Sequence, residues 1–291
     1  MMRPLELLRG WVLRQARENA GGQADWFGDT LDALAAGAAE RELHIVLGLA
    51  PRRLGKADLA LTAADEAAAE AAHPGWRPKG WSIDGAARVA ALLAYRGKRP
   101  FAETFKDLRR TSDVAEMIAL YRGLPLYPEP ESLSFEVGEG LRSNIRAVFE
   151  AIAHDNPYPR DRFDEHRWNH MVLKALFVGS RLAPIIGLDQ RANPELARIL
   201  RDFAHERWAA GRKVPVELWR CVGPFATDEA ALDDLRRALA GDMAERAAAV
   251  LALIASHANG AAAVLAAVPE LARAAAEGAL SWDALPVEET A

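Results

Sequence analysis

Apolar residues recur along most of this chain at intervals of three and four, the spacing that turns one face of an α-helix toward a core. Leu5, Leu8, Val12 and Ala16 share one side of a helix over 5–17. Arg3, Arg9, Arg14, Arg17 and Trp11 on that helix leave two readings open, an interfacial helix or one packed on its own core. After Gly21-Gly22, Asp25 caps a helix from 26 to about 37, and a further apolar stretch runs over 41–49, with Pro51 and Gly55 as punctuation. An Ala-rich helix is predicted over 56–72, then a loop at 73–80 reading HPGWRPKG. Ser82 caps the next helix, which buries Ile83, Ala86, Ala87, Ala90 and Leu93. Short helices follow at 101–110 and 113–122, then an irregular Pro-rich piece at 123–131. Leu133, Phe135 and Val137 alternate with polar residues and read as an extended connector, and 140–153 reads as a helix.

The rest of the pattern is organised around residues 154–177, HDNPYPRDRFDEHRWNHMVLKALF. Asn156-Pro157-Tyr158-Pro159 makes a turn, and Asp161 and Asp164 are candidate N-caps for a helix over 165–178. From Met171 to Val178 every residue but Lys174 is apolar, as in a buried helix. His166, His170 and Lys174 then form one polar stripe, bordered by Asn169, that needs partners. Asn193-Pro194-Glu195 starts another helix with a cap, a proline at its first position and an acid in its first turn. Loss of that cap in Asn193→Ala is expected to remove about 1 kcal/mol. Leu196, Leu200 and Phe203 form its apolar stripe, which Arg207 continues. Pro215 opens a short helix carrying Trp219 and Arg220, and from Thr227 onward Ala- and Leu-rich helices alternate with Gly turns. Residues 287–291 read as a disordered tail. This arrangement predicts an all-α fold of antiparallel helices in a HEAT-like, solenoid-like array, without a clean repeat period. It predicts one domain over 1–291: N-terminal helices at 1–122, a motif-bearing core at 138–225, and C-terminal helix pairs at 227–285.

The segments NPYPRDRFDEHRWNHMVLKALFVGS, GLDQRANPELARILRDFAHERWAAGR and ELWRCVGPF resemble the EboA family over roughly 154–225. The resemblance implies a soluble helical bacterial protein encoded with others that move a secondary-metabolite precursor out of the cytoplasm. Its implied partners are that metabolite, anionic or prenylated, and neighbours similar to a UbiA-type membrane prenyltransferase, a TatD-type hydrolase and sugar-metabolising enzymes. No catalytic residue set comes with it.

Charge narrows the functions. Lys plus Arg number 36 against 41 Asp plus Glu, so a general nucleic-acid binder is not expected. The basic run at 96–110 is interrupted by Glu103 and Asp107 and reads as a solvated helix face. Cys221 is the single cysteine, which excludes an intrachain disulfide and suits a cytoplasmic location. Charges scattered through the first residues argue against a signal peptide, and the longest apolar run, 247–255, is too short to span a membrane.

Among candidate sites, His166 and His170 have the i, i+4 spacing of helical metal ligands. A third ligand would have to come from His154, Asp155, Asp161 or His205, and Arg167 occupies the position where zinc proteases place their general base. Hydrogen-bonded core histidines are the competing reading, and no cofactor is expected. Arg220 beside Cys221 is able to lower the thiol pKa, but no nucleophile motif surrounds it. What stands out is a polar and aromatic cluster: Trp168, Asn169, His170, Lys174, Arg207, Trp208, Trp219 and Arg220. These residue types suit an aromatic-walled pocket for an anion, with Lys174 and Arg207 as the flanking cations. They equally suit a salt-bridged core, with Asp161, Asp164, Asp189 and Glu206 as the acids. Two functions follow: a non-catalytic binding or adaptor protein, or an enzyme acting on an anionic or prenylated metabolite.

Overall fold

The computed structural model describes residues 2–19 and 23–285. Within them the protein is all-α, with no strand. The break expected at Gly21-Gly22 and the tail at 287–291 lie outside the described residues. The chain packs as two units, Met1–Arg162 and Phe163–Ala291, and the division falls inside the 154–177 stretch.

The first unit holds α1 (Pro4–Asn19), α2 (Gln23–Ala35), α3 (Glu40–Leu54), α4 (Ala63–Ala72) and α5 (Ile83–Ala94). It continues with α6 (Phe101–Thr111), α7 (Val114–Arg122), α8 (Ser134–Leu141), α9 (Arg146–Ala153) and α10 (Tyr158–Arg162). Helices α1, α2, α3 and α7 pack around α5, which buries Ala86, Ala87, Val89, Ala90, Ala91 and Leu92. Asp84 and Arg88 are buried with them. The Arg88 guanidinium meets Asp84 at 2.5 Å and donates through Nε to the Leu47 carbonyl of α3 at 3.0 Å. Helix α1 is a core helix. Trp11 is buried and donates to Asp65 at 2.8 Å, while Arg9 and Arg14 pair with Asp32 and Asp65.

Three expectations are corrected in this unit. The Ala-rich helix starts at Ala63, not 56, because Thr62 and Asp65 close a reciprocal capping box there. The residues before it lie beside the start of α5, where Leu59 N–H donates to the Trp81 carbonyl at 2.8 Å. The alternating Leu133–Val137 piece is helical: Leu133 ends a 3-10 turn and is buried, and α8 turns Val137 inward and leaves Phe135 exposed. The helix expected over 140–153 is broken by residues 142–145, so α9 begins only at Arg146.

The second unit holds α11 (Glu165–Phe177), α12 (Pro194–Ala209), α13 (Leu218–Val222), α14 (Glu229–Leu239), α15 (Met243–Ala255), α16 (Ala261–Ala266) and α17 (Pro269–Ala276). Asp164 and Asn193 cap their helices as the sequence predicts, and Asp228 and Asp242 cap the helices that follow them. Helix α15 packs against α13, α14, α16 and α17. At Gly223 a Cβ would lie 2.7 Å from backbone atoms of Ala252, so a glycine is what lets these backbones approach.

Asn193 does more than cap. Its amide donates to Asn169 Oδ1 at 2.9 Å, and the Asn169 amide donates back to Asn193 Oδ1 at 3.2 Å. Asn169 is buried, so removing its partner leaves amide groups short of hydrogen bonds. Asn193→Ala is therefore expected to destabilise by about 2–4 kcal/mol, more than cap loss alone. A denaturant midpoint shift consistent with about 1 kcal/mol or less would show that the amide pair adds nothing.

Candidate functional site

The residues predicted to form a pocket all lie in the second unit. His166 and His170 are exposed on α11 with ring centroids 4.3 Å apart, and Phe177 is exposed beyond them. Helix α11 is therefore not buried all round: the core takes Trp168, Asn169, Met171, Val172, Ala175 and Leu176. Among the described residues no group of three or more His, Cys, Asp or Glu surrounds the histidine pair. Lys174 is half-buried, and burial pulls its ammonium below the usual lysine pKa.

The cations stacked on the two tryptophans are not Lys174 and Arg207. Arg191 lies over Trp168 at 4.6 Å and Arg237 over Trp208 at 4.3 Å. Arg207 lies over its own helix neighbour Phe203 at 5.7 Å and donates to the Lys213 carbonyl, closing the end of α12. Arg220 holds Asp189 through two hydrogen bonds, 2.6 and 2.7 Å, and these raise the guanidinium pKa further. Trp219 is fully buried against Trp208, with centroids 5.8 Å apart. Cys221 is also fully buried, and desolvation pushes its thiol up to about 12, the reverse of activation. What joins Trp208 instead is His205, stacked on it at 5.7 Å. The His205 Nε2 donates, when protonated, to buried Asp234 at 2.6 Å, and Arg201 donates to the other Asp234 oxygen at 2.7 Å.

Two cavities lie in the first unit, where the loop at 73–80 meets the turn at 154–157. Gly75 and Arg160 hold the two segments together, and Asn156 fixes the turn on its own side. Gly75 has φ +86°, and a Cβ there would meet Arg160 Nη1 at 3.0 Å and Pro157 Cβ at 3.2 Å. Arg160 donates to the Pro74 carbonyl at 3.0 Å. Buried Asn156 donates to the Tyr121 and Ala151 carbonyls, both at 3.0 Å, and accepts from Tyr158 N–H at 3.0 Å. Between them Asp155 takes the left-handed conformation, φ 48°, and faces Arg77 at 3.6 Å.

One cavity, of about 200 Å³, has Arg77, Lys79, Arg122 and His154 in its lining, with Trp81 and Ile118 as apolar walls. A second, of about 340 Å³, shares Arg77, Lys79 and Asp155 and adds Glu66, Glu70 and Trp76. Arg122 is half-buried; its Nη1 donates to the Gly80 carbonyl at 3.0 Å, and burial lowers its pKa. The indole N–H of Trp76 is buried with no acceptor among the described residues. Arg77 and Lys79 were visible in the sequence only as part of a turn, and Arg122 only as a helix end. The spacing of RPKG inside a Gly/Pro loop next to tryptophans was the available signal.

A family model described as metabolite traffic protein EboA matches residues 5–223. The chain belongs to the EboA family. Membership gives it a general role in metabolite traffic. No curated protein and no solved structure matches the chain. The matched stretch extends well before the motifs at 154–225 and contains every residue lining the two cavities; Asp234 and Arg237 lie beyond it. Among the described residues no helix is long and apolar enough to cross a membrane.

Gly75 sets the close approach that shapes the cavities. Gly75→Ala is expected to destabilise the protein by about 2 kcal/mol or more, from its positive φ and its contacts with Pro157 and Arg160. Thermal and denaturant unfolding check this, and a wild-type midpoint would mean the loop relaxes freely.

Proposed function

We propose that this EboA-family chain is a non-catalytic metabolite-binding protein that takes up a small polar molecule and hands it on during export. The observation that carries this reading is the paired cavity at Arg77, Lys79 and Arg122. Pockets for small molecules are walled by apolar and aromatic groups with a few placed polar ones, and Trp76, Trp81 and Ile118 supply the walls here. The metabolite is a secondary-metabolite precursor, and the receiving partner is a protein of the same cluster, of which a UbiA-type membrane prenyltransferase is one candidate. The second-unit cluster around Trp208 and Arg220 supports this role as a packed scaffold, since Arg220 and Arg207 already bind internal acceptors.

The reading is tested by incubating the purified full-length protein with a small-molecule extract of its host. Native mass spectrometry follows, with chemical analysis of what is released. The expected result is one small molecule bound per chain and recovered unchanged. Recovery of an altered molecule, with turnover over time, would establish the enzyme instead, and no bound molecule from an extract that contains the exported metabolite would remove the binding role.

A further inference from the structure

We infer that the smaller cavity is an oxyanion seat, built for the phosphate or carboxylate end of the carried molecule. This rests on the binding role proposed above and names the chemistry its site takes.

Cations and acids line the cavity together, but the acids are already engaged. Glu150 accepts from Arg146 at 2.7 Å, and Asp155 faces Arg77 at 3.6 Å. Among the described residues neither Arg122 nor Lys79 has a carboxylate within salt-bridge distance. Arg122 gives one donor to the Gly80 carbonyl, and a guanidinium carries five. Arg122 is half-buried beside a tryptophan wall, with Asp155 and Asp58 acting on it only from beyond ion-pair distance, and burial still pulls its pKa down. An anion in the cavity relieves that. A guanidinium and an ammonium side by side fit the planar fork of a carboxylate or the several oxygens of a phosphate.

Size and lining extend the assignment. A cavity of about 200 Å³ takes the place of roughly six or seven waters, enough for an anionic head group with a short stem. The stem then lies against Trp81 and Ile118. The adjoining cavity of about 340 Å³ shares Lys79 and Arg77 and is lined by Glu66 and Glu70, so it suits hydroxyl or amino donors on the remainder of the molecule. The rigidity described above supports this. Gly75, Asn156 and Arg160 fix both loops before any ligand arrives, so little ordering is left for binding to oppose.

The test titrates the full-length protein with inorganic phosphate and, separately, with acetate, read by calorimetry and by tryptophan fluorescence. The two anions distinguish a phosphate from a carboxylate head group. Lys79→Met removes an exposed charge and is expected to stay folded. It should weaken binding of the preferred anion by about tenfold or more, as should Arg122→Gln. Lys56→Met, away from the cavity, should leave binding as in wild type. Absence of binding by both anions at millimolar concentration overturns the assignment, and so does binding that Lys79→Met leaves unchanged. If the protein captures a host metabolite whose binding neither variant affects, the oxyanion seat is wrong and the binding role stands. If both variants weaken anion binding but the captured metabolite is released altered, the seat stands and the non-catalytic reading falls.

Discussion

Helix α5 is buried along nearly its whole length, and that constraint fixes much of the first unit. A buried helix must satisfy every polar group it carries. Asp84 and Arg88 meet most of this demand by pairing with each other and by tying Arg88 to the α3 backbone at Leu47, while Asp84 Oδ1 has no hydrogen-bond partner among the described residues. Such a pair contributes little net stability, because desolvation offsets the attraction, but breaking it strands a charge in the core. It therefore acts as a registration device between α3 and α5. With α5 held in rotation and height, its N-terminal entrance is held too, and Trp81, Ser82 and the backbone at 57–59 are pinned around it.

That entrance adjoins the two cavities. The loop at 73–80 leads into α5, and its tryptophans pack in series, Trp11 on Trp76 at 5.5 Å and Trp76 on Trp81 at 6.1 Å. A loop clamped by stacked indoles on one side and by Pro157 and Arg160 on the other has little freedom. Two cavities remain in this rigid surround. Rigid concave sites between packed elements are where small molecules bind with least loss of entropy.

Much of the fold was legible because helix boundaries are written locally. Asp164 and Asn193 each announce a helix and each caps one, and the helices expected from Asp113, Asp228 and Asp242 start one residue later, with those aspartates as their caps. The misread pieces are those where tertiary packing decides. Leu133 and Val137 fit an alternating strand as well as a helix, and a lone strand found no sheet to join. On α11 a continuous apolar run suggested burial all round, yet Phe177 points outward; only the packing partners choose the buried face. The site was less legible still. Which cation stacks on Trp168 or Trp208 is set by residues more than twenty positions away, and no spacing rule within one helix reports that. The cavity residues were hidden for the same reason, since the loop that carries Arg77 and Lys79 meets Arg122 and His154 from two other elements.

The two clusters of basic residues invite a physical comparison. In the second unit Arg220 has Asp189, Arg207 has a backbone carbonyl, Arg201 has Asp234, and Arg191 and Arg237 cover indole faces. Those charges are spent on holding helices together, and a ligand anion would have to displace an internal partner to use them. Displacement sets one ion pair against another, with little gain to drive binding. In the first unit the accounting runs the other way. Lys79 and Arg122 line a cavity in which Glu150 and Asp155 pair with Arg146 and Arg77, so the oxyanion proposed there would meet donors without breaking an ion pair of Lys79 or Arg122. A basic residue contributes to binding only when folding has left its charge unanswered. By that criterion the second-unit arginines are held by internal partners, and the proposed binding role rests on the loop of the first unit.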